Sequence, residues 1–389
     1  MTVASQTEKF AGNPVEVVSG PGVVAEVYTY TRALGARRVL VVCGRQVGHL
    51  PQVEALAQAP SGTTVAVFKE VESDPSAQTV IAGGRRARDF RADVVIGIGG
   101  GSSMDAAKAI AAEARQAGWI RAQDRPGQPT AVPDDVLPII AVPTTAGTGS
   151  EVLPFAVITF PETRRKLVLN HEALYPRYAL LDPGLLVSTP RSAQVAAGMD
   201  ALTHAIESYV SRTATAQSRE RALTAVGLIA AHFRTAVAVP EDLVAQAQMQ
   251  RAAMIAGLGF AVSRLGIVHA MALPLSAWFG VPHGLANALL LPHGMAFNRP
   301  AAVADFANLA VALGVCEEDA EAEGASHEAV VAVRDLAAQL GVPPQMREVG
   351  VEQSALARMA EDALASPHIA RNPRPVTVDD IKALYDEAY

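Results

Sequence analysis

The stretch that decides the fold is Val94-Val95-Ile96-Gly97-Ile98-Gly99-Gly100-Gly101-Ser102-Ser103. An apolar run of strand length passes into three glycines and two serines, and helical spacing then extends over 104–116. Similar apolar runs occupy 38–43 and 137–142, and another helical stretch covers 76–89. Because buried strands that alternate with helices are typical of parallel sheets, we expect a mainly parallel sheet with helices on both faces.

The character of the chain changes near residue 187. A hairpin is expected over 155–169, across the polar turn at 161–163. Beyond Thr189 the sequence is rich in alanine and leucine and keeps helical spacing to Tyr389. Prolines accompany the change, as they do where elements end. We therefore predict an α/β domain at residues 1–187 and an all-α domain at residues 188–389.

Composition excludes several classes of protein. The 389 residues are 50% hydrophobic and 18% charged, so the chain can bury enough apolar surface to fold. A net charge of −7 gives no basic excess for a nucleic acid or an anionic membrane. We expect no signal peptide, and no membrane span because His269 and Pro274 interrupt the most apolar stretch, 265–282. The two cysteines, Cys43 and Cys316, fit a reducing compartment, so we expect a cytoplasmic protein.

Two polar loops indicate a nucleotide site. The glycines at 99–101 and the serines after them stand between a strand and a helix, where a close backbone approach and free N–H groups suit a pyrophosphate. The loop at 143–151 follows the next strand, and its threonine hydroxyls suit ribose and phosphate oxygens. The first loop alone could equally be a turn that binds nothing. Two such loops after adjacent strands favour a nucleotide crevice.

A carboxylate and three imidazoles indicate a metal site. Asp200 and His204 are four residues apart on a helical pattern and so share one face, and His269 and His283 follow later in the chain. This set of ligands suits iron(II) or zinc and leaves a position for a substrate oxygen. The alternatives are a helix-surface hydrogen bond for the first pair and a hydrogen-bonded core histidine for His269. His293 is ambiguous. No role is assigned to five other histidines: His49, His171, His232, His327 and His368.

Taken together, these pieces resemble the iron-containing (group III) alcohol dehydrogenases. The resemblance implies a metal-dependent, NAD- or NADP-linked alcohol dehydrogenase or aldehyde reductase, with a dinucleotide-binding domain, a helical domain and a metal in the cleft between them. It also implies a homodimer or larger homo-oligomer. The matching segments are GGGSSMDAAKAIA (99–111), PTTAGTGSE (143–151), DP (182–183), AGMDALTHAIE (197–207), the His269 and His283 segments, LPH (291–293) and NPR (372–374).

The resemblance assigns residues by position. The metal ligands would be Asp200, His204, His269 and His283. The pyrophosphate loop would be Gly100, Gly101, Ser102 and Asp105, with further cofactor contacts from Thr144, Thr145, Thr148 and Lys166. Such a metal would polarise a carbonyl oxygen while the nicotinamide donates hydride to the carbonyl carbon.

Three departures from the family pattern bear on chemistry. Leu273 stands where many members have a histidine proposed to relay a proton, so water, a ribose hydroxyl or another side chain would have to serve, or activity would be low. Gly44 and Arg45 stand where NAD-preferring members often have an acid, which predicts tolerance of or preference for NADP(H). Arg264 precedes the third ligand and could bind an aldehyde that carries a carboxylate, phosphate or phosphonate. The alternatives are a solvated Arg45 and an Arg264 held in a surface ion pair.

Other functions on the same architecture remain open at this point. One is a metal-independent reductase of the maleylacetate reductase type, which the intact ligand set disfavours. Another is a sugar cyclase like dehydroquinate synthase, which uses a different arrangement of carboxylates. A third is a non-catalytic nucleotide-binding or scaffolding protein, which only Leu273 supports.

Overall fold

The glycine-rich stretch begins in the middle of a seven-stranded sheet. The structure, a computed structural model, describes residues 5–124, 131–163 and 165–389. Its strands are β1 (Gln6–Lys9), β2 (Glu16–Ser19), β3 (Arg38–Gly44), β4 (Thr64–Val71), β5 (Val94–Gly99), β6 (Ile139–Pro143), β7 (Phe155–Phe160), β8 (Arg165–Asn170) and β9 (Tyr178–Leu181). The sheet order is β1-β2-β9-β6-β5-β3-β4, with β1 antiparallel to β2 and all other neighbours parallel. The mainly parallel sheet predicted from the sequence is thus confirmed, as is the separate antiparallel hairpin β7–β8.

Both faces of this sheet are buried. Alternate residues of β3 enter different hydrophobic clusters: Leu40 and Val42 belong to one, and Val39 and Val41 to the other. This follows from the two-residue period of a strand, and it explains why the strand is almost wholly apolar. The helices of this part of the chain are α1 (Val27–Ala33), α2 (Pro51–Ala55), α3 (Ala77–Phe90), α4 (Gly101–Arg115) and α5 (Trp119–Gln123).

Glycine at one position of β5 allows a helix to pack directly on the sheet. A Cβ at Gly97 would lie 2.7 Å from the Cβ of Ala107 in α4, which is closer than real Cβ contacts. The absence of a side chain therefore sets how closely α4 approaches β5. It also fixes where the first turn of α4 stands relative to the end of the strand.

The rest of the chain is helical, as the sequence predicted. Its helices are α6 (Arg191–Val210), α7 (Ala216–Ala238), α8 (Leu243–Ser263), α9 (Ile267–Phe279), α10 (His283–Asn298), α11 (Val303–Ala312), α12 (Ala322–Leu340), α13 (Leu356–Leu364) and α14 (Val378–Ala388). Helix α6 packs against α7, α8 and α10, and every residue from Gly198 to Val210 is buried. A Cβ at Gly284 would collide with the carbonyl oxygen of Ala196, so glycine there lets the start of α10 reach the backbone of α6.

The chain divides into two compact units. The first extends to Thr145 and resumes over Gly149–Thr189, and the second contains Ala146–Thr148 and Pro190–Tyr389. The domain boundary predicted after residue 187 lies two residues before Thr189, where the first unit ends. That these units are separate domains stays a prediction. Among the described residues, no single helix is long and apolar enough to cross a membrane. Helices α8 and α9, which meet at a bend of 106°, have the length and apolar composition of a membrane span only when they are counted together.

Candidate metal centre and nucleotide loops

Three polar side chains lie on one buried face of α6. Asp200, His204 and Glu207 follow one another at intervals of four and three residues, which places them on successive turns of the helix. All three are buried, with between 3% and 4% of their surface exposed. A helix face that buries two acids and an imidazole needs partners for them, because an isolated buried charge is costly.

Helices α9 and α10 supply those partners. The Nε2 atom of His269 lies 3.7 Å from Oδ1 of Asp200, and the Nε2 atoms of His204 and His283 each lie 3.9 Å from the same oxygen. The ligand atoms of Asp200, His269 and His283 all fall within 4.8 Å of one another, while His204 lies outside that group and stacks on the His269 ring at 4.7 Å. The structure therefore brings together the four residues that the sequence singled out.

Glu207 determines which ring nitrogen of His269 carries the proton. Its Oε2 lies 2.6 Å from Nδ1 of His269, and its carboxylate also accepts hydrogen bonds from the backbone N–H groups of Val268 and His269. A proton on Nδ1 donates to this carboxylate and leaves the lone pair of Nε2 directed at Asp200. This is how metal-binding histidines are usually oriented. The sequence analysis missed Glu207, although its spacing from Asp200 and His204 on α6 was a usable signal.

Asn287, one turn after His283 on α10, lies close to three acceptor atoms of the centre. Its Nδ2 lies 2.7 Å from Oδ1 of Asp200, 3.1 Å from Nε2 of His269 and 3.2 Å from Nε2 of His283. An amide nitrogen carries two hydrogens, so it cannot satisfy three acceptors at once. A cluster of acceptors that exceeds its donors is the arrangement that a cation stabilises. The sequence analysis did not identify Asn287 either.

The electrostatics favour the protonation states that a metal needs. The pKa of His269 is held well below its ordinary value, first by burial and then by the neighbouring imidazoles. Burial likewise lowers the pKa of His204. Burial alone would raise the pKa of Asp200, but the three imidazoles and Asn287 bring it below its ordinary value. An ionised Asp200 beside neutral His204 and His269 is therefore favoured at neutral pH.

These residues fit a divalent cation. Ligand atoms about 2.1 Å from one tetrahedral ion lie about 3.4 Å apart. The separations of 3.7–3.9 Å from Asp200 Oδ1 come within a small side-chain adjustment of that value. One carboxylate oxygen with three imidazole nitrogens suits iron(II) or zinc. The side chain of His283 is 34% exposed, so the centre is accessible from the side of this residue.

The two predicted nucleotide loops begin side by side, at the ends of β5 and β6 in the first unit. Gly99 pairs with Pro143 between β5 and β6, and the N–H of Thr144 donates to the carbonyl oxygen of Gly99. Gly99 has a φ of 145°, which a residue with a side chain rarely adopts, and a Cβ at Gly100 would lie 3.3 Å from Oγ1 of Thr145. Helix α4 begins at Gly101, so its first N–H groups lie at this cradle and suit a pyrophosphate.

Other residues predicted to contact the cofactor have partners within the protein. Lys166 forms an ion pair with Asp74 at 2.9 Å, and the N–H of Asp74 donates to Oγ of Ser102. The carboxylate of Asp105 accepts hydrogen bonds from Ser150 and from the backbone of Val157, so it braces the second loop. Asp74 was not expected near this site.

Two further predictions concern loop positions. Thr148 belongs to the segment Ala146–Thr148, in which Gly147 packs closely against Ala197 of α6. Gly44 ends β3, and Arg45 after it is exposed. The assignments of these residues to cofactor binding stay predictions.

Arg264 has a strained backbone. It follows the last residue of α8 with φ 63° and ψ −174°, a region that is almost exclusive to glycine. Its positive charge helps to lower the pKa of His368, so its side chain lies within electrostatic range of that imidazole. The ring of His368 lies 6.1 Å from the ring of His269. The role of Arg264 in binding an anionic aldehyde stays a prediction. Strain of this kind tends to occur at functional sites.

Two histidines and one leucine complete the comparison with the sequence. His368 was assigned no role, and the structure places its ring 6.1 Å from the ring of His269. The Nδ1 atom of His293, which was ambiguous, lies 3.3 Å from a carboxylate oxygen of Glu387. Leu273 lies one turn after His269 on α9, as its position in the sequence required.

The family models for iron-containing alcohol dehydrogenases match both parts of the chain. The iron-containing alcohol dehydrogenase model matches residues 14–183, and the model for the C-terminal part of the Fe-containing alcohol dehydrogenase family matches residues 194–389. With this fold and this site, the protein is an NAD-linked dehydrogenase of alcohols and aldehydes, an oxidoreductase acting on CH–OH groups. It belongs to the iron-containing alcohol dehydrogenase family.

Named relatives agree over almost the whole chain. Lactaldehyde reductase from Escherichia coli K12 is 36% identical over 95% of this chain and 97% of its own length. NAD-dependent methanol dehydrogenase from Bacillus methanolicus is 34% identical over 96% of this chain and 98% of its own. The structure of sulfoacetaldehyde reductase from Bifidobacterium kashiwanohense in complex with NAD+ superposes with a TM-score of 0.89. It is 28% identical and covers 98% of this chain and 99% of the other.

Proposed function

We propose that the protein is a metal-dependent, nicotinamide-linked aldehyde reductase or alcohol dehydrogenase whose substrate carries an anionic group. The observation that carries the metal dependence is the convergence of three imidazole Nε2 atoms within 3.9 Å of Oδ1 of Asp200. Glu207 adds support because it holds the proton of His269 on the nitrogen remote from this centre. A divalent ion would supply Lewis-acid polarisation of a substrate oxygen, and the nicotinamide would supply hydride.

The residues of the chain would bind the ion, orient its ligands and bind the cofactor. Asp200, His204, His269 and His283 would hold the ion, and Glu207 keeps His269 in the tautomer that can bind it. The turn at the start of α4 would bind the pyrophosphate through backbone N–H groups. Burial of the ligand set excludes water from all but the His283 side, which strengthens the electrostatic interactions within the centre.

The position of Arg264 supports the proposal that the substrate is anionic. It is a cation within electrostatic range of a ring that borders the ligand set, and it is held there by a backbone conformation that costs stability. The name of the sulfoacetaldehyde reductase designates an aldehyde with a sulfonate group, so the fold accommodates such a substrate in a relative. We extend that chemistry to this chain as a carboxylate, phosphate, phosphonate or sulfonate at the far end of the aldehyde.

The test is a matched panel of aldehydes with reloaded enzyme. The purified protein is treated with chelator, reloaded with ferrous ion or zinc, and assayed with succinic semialdehyde and butanal, which have four carbons each. We expect activity only after reloading, and a higher kcat/KM for the anionic aldehyde. Arg264→Ala should remove that preference, while Arg347→Ala, at an exposed arginine, should keep it. Full activity without metal would contradict the metal dependence, and equal kcat/KM values would contradict the substrate class.

We also propose that the enzyme accepts NADP(H). Gly44 carries no charge to repel a 2′-phosphate, and Arg45 is exposed immediately after β3. Arg45→Ala should raise the KM for NADPH about tenfold, as expected for a charge-assisted hydrogen bond, and leave the KM for NADH unchanged. A strong preference of the wild type for NADH would contradict the proposal. A cytoplasmic homodimer or larger homo-oligomer stays part of the proposal, to be checked by light scattering and cell fractionation.

A further inference from the structure

A lysine that the proposed mechanism does not use lies inside the first unit. Lys108 of α4 is fully buried, with 0% of its surface exposed. Its Nζ donates hydrogen bonds to Oγ of Ser150 at 2.6 Å, to the carbonyl oxygen of Ser150 at 2.7 Å and to the carbonyl oxygen of Phe155 at 2.7 Å. An ammonium group has three hydrogens, so these three acceptors use all of them.

Asp105, one turn earlier on α4, reinforces these contacts. Its Oδ1 lies 3.7 Å from Nζ of Lys108 and accepts a hydrogen bond from Oγ of Ser150 at 2.6 Å. Its Oδ2 accepts a hydrogen bond from the N–H of Val157 at 2.9 Å. Two side chains of α4 therefore hold the second nucleotide loop at Ser150 and strand β7 at Phe155 and Val157.

The segments that Lys108 connects are those expected to contact the cofactor. Helix α4 begins at the pyrophosphate turn, and the second loop carries Thr144 and Thr145. Strand β7 pairs with β8, in which Lys166 lies opposite Thr159. These three segments are separate in sequence, and the hydrogen bonds of one ammonium group connect them.

A charged side chain at this position is costly, because burial removes its hydration. An apolar side chain of similar length would fill the space without that cost, and a buried ion pair often stabilises a fold no better than apolar packing does. The ammonium group provides direction instead, since each of its hydrogen bonds has a preferred geometry. These bonds set where Ser150 and the start of β7 lie relative to α4.

We infer that Lys108 is a positioning residue for the cofactor, whose protonated amine holds the second nucleotide loop and the β7–β8 hairpin against α4. This goes beyond the proposed metal dependence and substrate class, and it rests on the assignment of the two loops to the cofactor. A neutral amine has two hydrogens and a lone pair, so it leaves one of the three acceptors without its hydrogen bond. The loop is then held less firmly, and the cofactor binds less tightly.

The surroundings of Lys108 place this change within a measurable pH range. Burial lowers the pKa of Lys108 to about 8, while the carboxylates of Asp105 on α4 and of Glu151 on the turn Ser150–Val152 act to raise it. The protonated fraction therefore falls about tenfold between pH 7 and pH 9. Because only the protonated form makes all three hydrogen bonds, the apparent Kd for NADH should rise by the same factor.

The test is the Kd for NADH of the metal-loaded enzyme, measured by fluorescence titration from pH 7 to pH 9. We expect the wild-type Kd to rise about tenfold over this range. Lys108→Met has no proton to lose, so its Kd should be constant and close to the value of the wild type at pH 9. Lys382→Met, at an exposed lysine of α14, should follow the wild type.

Glu151→Gln tests the inference in a variant that keeps Lys108 and its three acceptors. The ionised carboxylate of Glu151 stabilises the ammonium group, so without it the Kd should begin to rise at a lower pH. A merely structural role of Glu151 would change the Kd by the same factor at every pH. A profile in this variant that is not shifted along the pH axis would overturn the inference.

The remaining outcomes separate the role of Lys108 from the assignment of the loops. A constant wild-type Kd, or a folded Lys108→Met that keeps the wild-type profile, would overturn the role of Lys108. If Lys108→Met does not fold, the profiles of the wild type and of Glu151→Gln decide. Gly100→Val, whose Cβ would lie 3.3 Å from Oγ1 of Thr145, should abolish NADH binding at every pH. If that variant binds NADH as the wild type does, the assignment of the loops fails, and the role of Lys108 fails with it.

Discussion

The nucleotide loops and the candidate metal centre recognise their ligands in different ways. At the loops, the groups that face the expected pyrophosphate are backbone N–H groups at the start of α4, and glycines at 99–101 keep the space open. At the metal centre, the ligand atoms belong to side chains from α6, α9 and α10. Glu207 orients His269, and Asn287 donates a hydrogen bond to Asp200. A backbone site tolerates most side-chain changes nearby, whereas a side-chain site does not tolerate the loss of one ligand.

The largest expected effect follows from removing a ligand. His283→Ala should abolish iron binding and lower kcat/KM by about a thousandfold or more, because Lewis-acid stabilisation accounts for several kcal/mol of the barrier. His293→Ala lies on the same helix α10 but pairs with Glu387, so it should retain both iron and activity. Iron is measured by elemental analysis and activity by NADH oxidation. If the two variants had equal activity, the claim that the metal centre does not tolerate the loss of one ligand would be contradicted.

A smaller effect is expected from the residue that orients a ligand. Glu207→Gln keeps the size of the side chain but removes the charge that holds the proton on Nδ1 of His269. The affinity for the metal should fall between about 10-fold and 100-fold, measured by competition with a chelator. Glu220→Gln, at an exposed position of α7, should leave the affinity unchanged. An unchanged affinity in Glu207→Gln would mean that the metal site does not depend on this carboxylate.

The buried network beneath the nucleotide loops predicts a pH effect on stability. Burial raises the pKa of Glu151 to about 7, and burial also lowers the pKa of Lys108 nearby to about 8. Between about pH 4.5 and pH 7, the folded protein retains a proton on Glu151 that the unfolded chain has released. This contribution to the free energy of unfolding is present below that range and is lost as the pH rises through it.

In Glu151→Gln the side chain is neutral at every pH, so the free energy of unfolding should not fall in this way as the pH rises. The variant should gain about 2 kcal/mol in free energy of unfolding relative to wild type between pH 5 and pH 8. Urea denaturation of both proteins at the two pH values measures the change. A constant difference between the two proteins across this range would show that Glu151 titrates normally.

The smallest effect concerns the backbone strain near the metal centre. Arg264→Gly should relieve the unfavourable conformation at φ 63°, offset in part by the greater flexibility of glycine in the unfolded chain. We expect the free energy of unfolding to rise by a net amount of about 1 kcal/mol, which would appear as a higher Tm. The variant should also lose the preference for anionic aldehydes. Arg264→Ala keeps the strain and should lose the preference without the gain. A fall in Tm for Arg264→Gly would show that the guanidinium stabilises the fold.

The fold could be predicted where the sequence carries a long local signal. Strands β3, β5 and β6 were recognised because each is a run of five to seven mostly buried residues. Strands β1, β2 and β9 have four residues each, which is too short for an apolar period to stand out. Their pairing depends on contacts between distant parts of the chain, such as β2 with β9.

The candidate site could be predicted only in part, for a related reason. The ligands were found because the spacing of Asp200 and His204 is local and because the segments around His269 and His283 resemble a known family. Glu207 and Asn287 continue the same helix faces and could have been found by extending the spacing. His368 could not, because it reaches the centre from an irregular segment whose place depends on contacts between distant parts of the chain, such as those of Asn372 with Ile267 and Asn298.

Crystallography of the iron-loaded protein with data on either side of the iron absorption edge tests the central claim most directly. We predict one anomalous peak per chain, in contact with the side chains of Asp200, His204, His269 and His283. An active protein without such a peak, or with its iron bound elsewhere, would contradict the assignment of these four residues as the metal centre.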